Sequence, residues 1–225
     1  MNCKDCKIDN IPYFIRFPEG FDENKRYPVI ILLHGAGSRG EDLSLLKQNA
    51  FFEIINQKPK FDFVTFAPQC PENKTWYDFM PTLVKLVDVI ENTPFADIER
   101  LYLMGPSMGG YGTWQLAMSI PEHFAAIVPI CGGGMYWNAG RLDNVPVWAF
   151  HGALDKTVLP EESEKMVNKL ISRGADARLT VYPKNSHNAW SDTYSNDEVF
   201  EWLLSHKNQN NKALTNDYND KTIYG

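Results

Sequence analysis

Residues 98–114 place a serine between a strand-like run and a helix-compatible run. The apolar residues 101–104 are followed by Gly105-Pro106-Ser107-Met108-Gly109. Glycines on both sides of the serine let the strand and the helix approach closely, and the free N–H groups at the start of the helix favour a negative charge. This G-x-S-x-G pattern, set between a strand and a helix, predicts that Ser107 is a nucleophile.

A serine hydroxyl is almost inert at neutral pH, so a nucleophilic serine needs a histidine base and a carboxylate that orients the histidine. In the α/β-hydrolases, which this strand–turn–helix pattern resembles, the acid follows the serine along the chain and the histidine follows the acid. Histidines occur at positions 34, 123, 151, 187 and 206. His187 follows the last predicted strand, whereas His206 lies in a polar stretch and is interpreted as a surface residue. We therefore predict that His187 is the base.

Asp155 is the predicted acid, because it follows a strand that ends at His151-Gly152 and lies in the glycine-containing loop HGALDKTV. Loops at the carboxyl edge of a parallel sheet are where such groups meet. Asp143 precedes the same strand and would lie at its wrong end. Asp192 is a weaker alternative, since it follows the histidine.

Two backbone N–H groups are needed to bind the oxyanion that forms during acyl transfer. One is predicted to come from Met108, directly after the nucleophile. The other is predicted to come from Ala36, in the loop His34-Gly35-Ala36-Gly37 after the first buried strand. His34 itself is expected to hold this loop by a side-chain hydrogen bond and not to act as a base.

Strand-like and helix-like segments alternate along the chain. Strands are predicted at residues 8–18 (an edge strand), 27–33, 61–67, 101–104, 124–130, 145–150 and 178–182, and helices at 41–57, 81–91, 108–119, 160–173 and 197–205. This alternation predicts an α/β fold with a doubly wound, mostly parallel sheet flanked by helices. We predict one domain over residues 1–206, and a polar, loosely attached tail over residues 207–225.

Four motifs in this order, HGAG, GPSMGGYGTW, HGALDKTV and SHNAW, resemble those of serine carboxylesterases with the α/β-hydrolase fold. The resemblance covers about residues 10–205 and is strongest to the group of feruloyl and acetylxylan esterases, polyhydroxybutyrate-depolymerase-like enzymes and predicted peptidases. It implies the triad Ser107, Asp155 and His187. Pro106 departs from the aliphatic residue that is often found at that position of the family.

Composition excludes several other classes. The chain has 225 residues, 44% of them hydrophobic, and a formal net charge of −6, with no basic run that would suit nucleic acid or an anionic membrane. The longest apolar run, residues 29–33, is too short to span a bilayer. The first ten residues carry no apolar signal-peptide core, so a cytoplasmic location is the default expectation.

The four cysteines do not form the pattern of a zinc site. Cys3 and Cys6 make one C-x-x-C, but Cys70 and Cys131 lie far apart in the sequence. Free thiols near a frayed N-terminus are the preferred interpretation, and Cys131 is expected to be a small buried residue. We predict no metal and no cofactor.

The connection after residue 131 is too short for a lid. Only 13 residues separate Cys131 from Val145, so no cap domain is expected and the site should be open. Trp76, Tyr136, Trp137 and Trp190 fall in loops at the predicted active edge and are candidates for a substrate-binding wall. Simple packing of these loops is an equally weighted alternative.

The sequence therefore predicts a serine hydrolase that cleaves carboxylic esters through an acyl-enzyme. The expected substrates are acyl or hydroxycinnamoyl esters on carbohydrate, or similar small esters. A serine peptidase, a lysophospholipase or an acyl-thioesterase would use the same triad and is the alternative. A non-catalytic ligand-binding protein is disfavoured, because every member of the triad is present. The oligomeric state is not indicated.

Overall fold

The computed structural model describes residues 2–208, and Met1 and residues 209–225 lie outside the described part. The strands are β1 (Cys3–Ile8), β2 (Ile11–Arg16), β3 (Tyr27–Leu32), β4 (Val64–Pro68), β5 (Ala96–Pro106), β6 (Ala126–Ile130), β7 (Val147–Gly152) and β8 (Ala177–Tyr182). The helices are α1 (Leu43–Lys47), α2 (Ala50–Ile55), α3 (Met80–Glu91), α4 (Met108–Ser119), α5 (Glu161–Ile171), α6 (Ala189–Ser195) and α7 (Asp197–Ser205).

The eight described strands form one sheet in the order β1-β2-β4-β3-β5-β6-β7-β8. Strands β3 to β8 run parallel, and β1 and β2 are antiparallel to their neighbours. Alternate residues of β3 belong to two hydrophobic cores on opposite faces of the sheet. Val29 and Ile31 pack with α3, α4 and α5. Ile30 and Leu32 pack with α1, α2, α6 and α7. The predicted doubly wound, mostly parallel α/β-hydrolase sheet is confirmed.

The N-terminal strand prediction was wrong in its bounds. Instead of one edge strand over residues 8–18, a tight turn at Asp9 and Asn10 joins β1 to β2, and β1 is the edge. Cys3 and Cys6 therefore lie in a strand and not in a frayed terminus. They contact the cores on opposite faces of the sheet, and both are free thiols, so this C-x-x-C cannot close on one ion or one disulfide.

A single helix over residues 41–57 was also predicted wrongly, because the segment forms two short helices, α1 and α2. The Asn49 side chain accepts a hydrogen bond from the N–H of Phe52 and caps α2. The break turns Phe51, Phe52 and Ile55 into the core while Leu45 stays exposed. The start of α2 consequently faces the carboxyl edge of the sheet.

The C-terminal part of the described chain packs more closely than predicted. His206 is only partly exposed, and its carbonyl accepts a hydrogen bond from the buried Tyr102 hydroxyl at 2.9 Å. Asn208, which was assigned to the loose tail, is 7% exposed and donates its backbone N–H to the Glu99 carbonyl at 2.8 Å. The rest of the predicted tail lies outside the described residues.

Residues 131–146 connect β6 to β7 without a cap domain and contain one short 3₁₀ segment, Tyr136–Leu142. Within residues 2–208, no helix is both long enough and apolar enough to cross a membrane.

Candidate active site

Ser107 occupies a strained turn at the carboxyl end of β5. Its φ of 53° and ψ of −118° lie in a region that residues with side chains rarely adopt. The strand and helix beside it touch closely: a Cβ on Gly105 would lie 2.3 Å from the Leu33 carbonyl oxygen, and one on Gly109 only 1.8 Å from it. The two glycines therefore allow β5 and α4 to reach the backbone after β3, and the turn holds the Ser107 side chain at the sheet edge.

Ser107, His187 and Asp155 form a continuous hydrogen-bonded chain. The distance from Ser107 Oγ to His187 Nε2 is 2.8 Å, and from His187 Nδ1 to Asp155 Oδ2 it is 2.7 Å. An ionised carboxylate can only accept, so Nδ1 carries the proton and Nε2 accepts from the serine hydroxyl. Ser107 follows β5, Asp155 follows β7 and His187 follows β8, so the parallel sheet brings together residues that are far apart in sequence.

The Asp155 carboxylate is buried, yet it is kept ionised. Burial opposes its charged form, but hydrogen bonds from His187 and from the backbone N–H groups of Val158 and Thr157 outweigh that cost and lower the pKa of Asp155. The loop that carries it contacts the histidine loop directly, since a Cβ on Gly152 would lie 2.1 Å from the Ser186 carbonyl oxygen.

Asp143 and Asp192, the two alternative acids considered from the sequence, form hydrogen bonds with other residues. Asp143 accepts a hydrogen bond from Arg173 Nε at 2.7 Å. Asp192 accepts one from the Asn185 side chain. Neither of these contacts involves His187.

The loop after β3 and the start of α4 both adjoin Ser107. Met108 is the first residue of α4, so its N–H has no partner inside the helix. Gly35 lies against Ser107, since a Cβ on Gly35 would lie 3.7 Å from Ser107 Cβ. The exposed Ala36 follows Gly35. The two predicted oxyanion donors thus lie on the two segments that adjoin Ser107.

A cavity of about 550 Å³ opens beside the Ser107 hydroxyl. Its wall is mainly apolar and includes Ala36, Phe51, Pro106, Trp190 and Tyr194, together with Ser107 and His187. The Trp190 ring meets the His187 ring edge-on, with centroids 5.4 Å apart. The cavity has room for an acyl group beside the hydrogen-bonded Ser107 and His187 side chains.

Comparison with known families matches residues 8–156 to the family model Esterase, which is described as "Putative esterase". This span is more than half of the chain. The chain belongs to the Esterase family. A second family model, the prolyl oligopeptidase family, matches residues 135–210, where Asp155 and His187 lie.

Three proteins similar to this Esterase-family chain illustrate its relationships. Dipeptidyl-peptidase 5 of Porphyromonas gingivalis is 22% identical over 79% of this chain and 33% of its own length. Probable feruloyl esterase C of Aspergillus terreus is 24% identical over 80% of this chain and 67% of its own length. The crystal structure of a thermostable esterase superposes with a TM-score of 0.77 and 32% identity, over 92% of this chain and 63% of that one. The chain thus spans from about a third to about two thirds of these proteins.

The four aromatic residues predicted for the substrate wall separate into three groups. Trp190 lines the cavity of this Esterase-family chain. Trp76 is fully buried and donates Nε1–H to the His34 carbonyl at 2.9 Å, so its assignment to the wall was wrong. Tyr136 and Trp137 are exposed on the β6–β7 connection, pack on each other at 5.3 Å, and lie outside the lining of the cavity.

Two aromatic residues that line the cavity, Phe51 and Tyr194, were missed by the sequence analysis. Phe51 comes from the start of α2 and Tyr194 from α6, and their rings meet edge-on with centroids 5.0 Å apart. Asn49 before an apolar run was the available signal for a helix start. The spacing of four between Trp190 and Tyr194 was the signal for one face of a helix.

Cys131 lies close to Asp155 and His187. Its sulfur, one Asp155 oxygen and one His187 nitrogen all lie within 4.8 Å of one another. Burial raises the pKa of the Cys131 thiol to about 12, so the sulfur stays protonated at neutral pH. Asp155 and His187 are already hydrogen-bonded to each other. The Cys131 thiol is therefore a neutral neighbour of this pair.

His34 holds the loop after β3, as expected. Its Nε2 accepts the backbone N–H of Cys70 at 2.9 Å, so Nδ1 carries the proton and donates to the Gly35 carbonyl at 2.6 Å. Burial lowers the pKa of His34 from 6.5 to about 4, so the ring is neutral at physiological pH. It positions the backbone beside Ser107 and makes no contact with Ser107 among those described.

Acidification should destabilise the fold through His34. Between pH 6.5 and 4, His34 is protonated in the unfolded chain but stays neutral in the folded chain. The free energy of unfolding therefore falls as pH falls, by at most about 3 kcal/mol. Urea unfolding at pH 7, 6, 5 and 4 measures the slope. His34→Gln keeps an acceptor for Cys70 and should give a shallower slope. An equal slope in this variant would contradict the prediction.

His123 provides a control of opposite sign. A hydrogen bond from its ring to Glu91 raises the pKa of His123, so its stabilisation is present below pH 6.5 and is lost as pH rises through the folded value. His123→Gln should therefore steepen the loss of stability on acidification.

Proposed function

We propose that the chain is a carboxylic ester hydrolase in which Ser107 is the nucleophile, His187 the base and Asp155 the orienting acid. The observation that carries this proposal is the unbroken hydrogen-bonded chain from Ser107 Oγ through His187 to Asp155, with 2.8 Å and 2.7 Å contacts. Membership of the Esterase family supports the same reaction.

In the acylation step, Ser107 Oγ attacks the ester carbonyl while its proton passes to His187 Nε2. The backbone N–H groups of Ala36 and Met108 bind the oxyanion. His187 returns the proton to the departing alcohol, which leaves an acyl-serine. In the second step a water molecule loses its proton to His187, attacks the acyl carbonyl, and releases the acid as Ser107 regains its proton.

The substrate class that fits best is a small ester with a short or aromatic acyl group, including an acyl or hydroxycinnamoyl group on carbohydrate. Phe51, Trp190 and Tyr194 offer aromatic faces beside the nucleophile, and aromatic rings stack well on such faces. The open β6–β7 connection leaves room for a bulky alcohol. The names of two relatives, a feruloyl esterase and a bifunctional acetylxylan esterase/xylanase, support this choice.

A peptidase is the second candidate, because the prolyl oligopeptidase family model matches residues 135–210 and a relative is a dipeptidyl-peptidase. A dipeptidyl substrate carries a protonated amine, which a binding site normally pairs with a carboxylate. The described lining of the cavity contains no Asp or Glu. The cavity chemistry therefore favours the ester.

The test is a side-by-side assay of one purified protein on p-nitrophenyl acetate, p-nitrophenyl octanoate, methyl ferulate, an acyl-thioester and a dipeptidyl p-nitroanilide. We expect kcat/KM on the acetate or ferulate ester to exceed that on the octanoate and on the anilide by at least about tenfold, a difference of about 1.4 kcal/mol in transition-state binding. Preferred cleavage of the anilide would support the peptidase. Preferred cleavage of the octanoate would contradict the proposed acyl class.

A further inference from the structure

The hydroxyl of Tyr194, on α6, is a polar group in the wall of the cavity beside Ser107. Tyr194 is only 2% exposed and lines this cavity. Its hydroxyl makes no hydrogen bond to any residue between 2 and 208, and it is not one of the side-chain oxygens that are closed off from solvent without a partner. The small accessible area of Tyr194 therefore includes the hydroxyl oxygen, on a side chain that lines the cavity.

An unpaired hydroxyl is unusual for so buried a tyrosine, because buried polar groups normally have hydrogen-bond partners. Tyr102 is also fully buried, and its hydroxyl donates to the His206 carbonyl at 2.9 Å. Burial raises the pKa of Tyr194 well above its usual range, so its hydroxyl is uncharged and can both donate and accept. Tyr194 thus offers one neutral hydrogen-bonding group to a molecule in the cavity.

The burial of the lining residues shows where in the cavity this group lies. Ala36 and Thr157 are exposed and lie at the mouth. Leu32 and Phe51 are each 1% exposed and belong, with Tyr194, to the inner wall. The Tyr194 hydroxyl is therefore a polar group on an inner wall that is otherwise mainly apolar.

Two other polar side chains of the lining already have partners. Both ring nitrogens of the buried His34 are used, one toward the Gly35 carbonyl and one toward the Cys70 N–H. The Asn49 side-chain oxygen accepts from the N–H of Phe52 and caps α2. Tyr194 is therefore the better candidate for a polar contact deep in the cavity.

The walls next to the Tyr194 hydroxyl suit an aromatic ring. The Phe51 ring meets the Tyr194 ring edge-on, with centroids 5.0 Å apart, and Trp190 lines the same cavity. Aromatic rings pack favourably against such walls. A few placed polar groups in a mainly apolar site are what usually fix the orientation of a small ligand.

We propose that Tyr194 is a specificity-determining residue whose hydroxyl pairs with a hydroxyl group on the aromatic ring of a bound acyl group. The site then favours hydroxyaryl acyl esters over the unsubstituted aryl esters. This inference rests on the proposed ester hydrolysis for its substrate, and it assigns the choice of acyl group to one side chain.

The preference follows from the water that a bound acyl group displaces. In the free protein, water in the open cavity can bond to the Tyr194 hydroxyl. A ring that carries a hydroxyl replaces this hydrogen bond, whereas a plain ring leaves the tyrosine unpaired, which is costly in a buried site. A tenfold difference in affinity corresponds to about 1.4 kcal/mol, which is the size expected for one hydrogen bond between neutral groups.

The direct test is binding to Ser107→Ala, which lacks the attacking oxygen. Isothermal titration calorimetry measures the dissociation constants of methyl cinnamate, methyl 3-hydroxycinnamate and methyl 4-hydroxycinnamate. We expect at least one hydroxylated ester to bind about tenfold more tightly than methyl cinnamate. In Ser107→Ala with Tyr194→Phe, which keeps the ring, the difference should fall below about twofold, and methyl cinnamate should bind at least as tightly as before.

Tyr182→Phe in the same Ser107→Ala background is the matched control. Tyr182 ends β8, its hydroxyl lies 3.4 Å from the hydroxyl of Thr193, the residue before Tyr194, and it lies outside the described lining of the cavity. Removing the Tyr182 hydroxyl should leave the preference for the hydroxylated ester unchanged. Thermal melting followed by circular dichroism checks that each variant is folded.

Equal affinities of the three esters for Ser107→Ala, or no binding of any of them, overturn the proposal without any change at position 194. A preference that persists in Tyr194→Phe, or that Tyr182→Phe also removes, overturns it as well. Because these measurements record binding, they do not depend on turnover. Failure of the proposed ester hydrolysis has a different signature, since the unmodified protein would then cleave none of the esters while the ratios of affinity remained.

Discussion

Replacing Ser107 with alanine is expected to lower kcat/KM for ester substrates by at least about 10⁴-fold while the protein stays folded. The attacking oxygen is removed, and losing a nucleophile from a hydrogen-bonded triad usually costs several orders of magnitude. The strained φ of 53° at position 107 is equally strained for alanine, so the fold should not be destabilised by the change. Steady-state kinetics and circular dichroism measure the two effects.

Ser172→Ala is the matched control, since Ser172 is an exposed serine at the end of α5. It should keep full activity. A fluorophosphonate probe should label the unmodified protein and Ser172→Ala, but not Ser107→Ala. Activity of Ser107→Ala within about tenfold of the unmodified protein would rule out Ser107 as the nucleophile.

Gly109→Ala should unfold the protein or leave it barely stable. The new Cβ would lie 1.8 Å from the Leu33 carbonyl oxygen and 2.6 Å from the Leu33 carbonyl carbon. Both atoms are backbone and cannot rotate away, so α4 would have to move off the sheet. Such overpacking against backbone should cost more than about 4 kcal/mol, a large part of the 5–15 kcal/mol by which a domain is usually stable.

Gly37→Ala is the control for Gly109→Ala. A Cβ on Gly37 meets nothing within 4 Å, and its φ is not in the left-handed region. It should melt within a few degrees of the unmodified protein, whereas Gly109→Ala should give little soluble protein or a melting temperature more than 15 °C lower. A Gly109→Ala melting temperature close to that of Gly37→Ala would contradict the packing argument.

The sheet could be predicted because its central strands are continuous apolar runs bounded by glycine and proline, as in β3 and β5. The positions of Ser107, Asp155 and His187 followed from the same pattern, since each lies just after a strand and parallel strands end at one edge. Their catalytic roles stay a prediction that the Ser107 experiment tests.

The short helices could not be predicted from periodicity. Helices α1, α2 and α6 have five to seven residues, which is less than two turns and too short for a clear apolar repeat. The cavity wall depends on two of them, through Phe51 and Tyr194. The substrate side of the site was therefore predicted less well than the proton-transfer side.

The directions in which the side chains of Trp76 and Trp190 point could not be predicted either. Trp76 and Trp190 both follow strands at the active edge, yet Trp76 turns inward to the His34 carbonyl and Trp190 faces the cavity.

The short connection from β6 to β7 has a kinetic consequence. Where a lid covers a site, opening and closing can limit turnover, and product release waits for the lid. Here the described connection leaves the Ser107 cavity uncovered, so a substrate can enter and an acid can leave without a preceding conformational step. For the proposed ester hydrolysis we therefore expect encounter and orientation to set the rate of binding, and the making and breaking of the acyl-serine bond to set the turnover number.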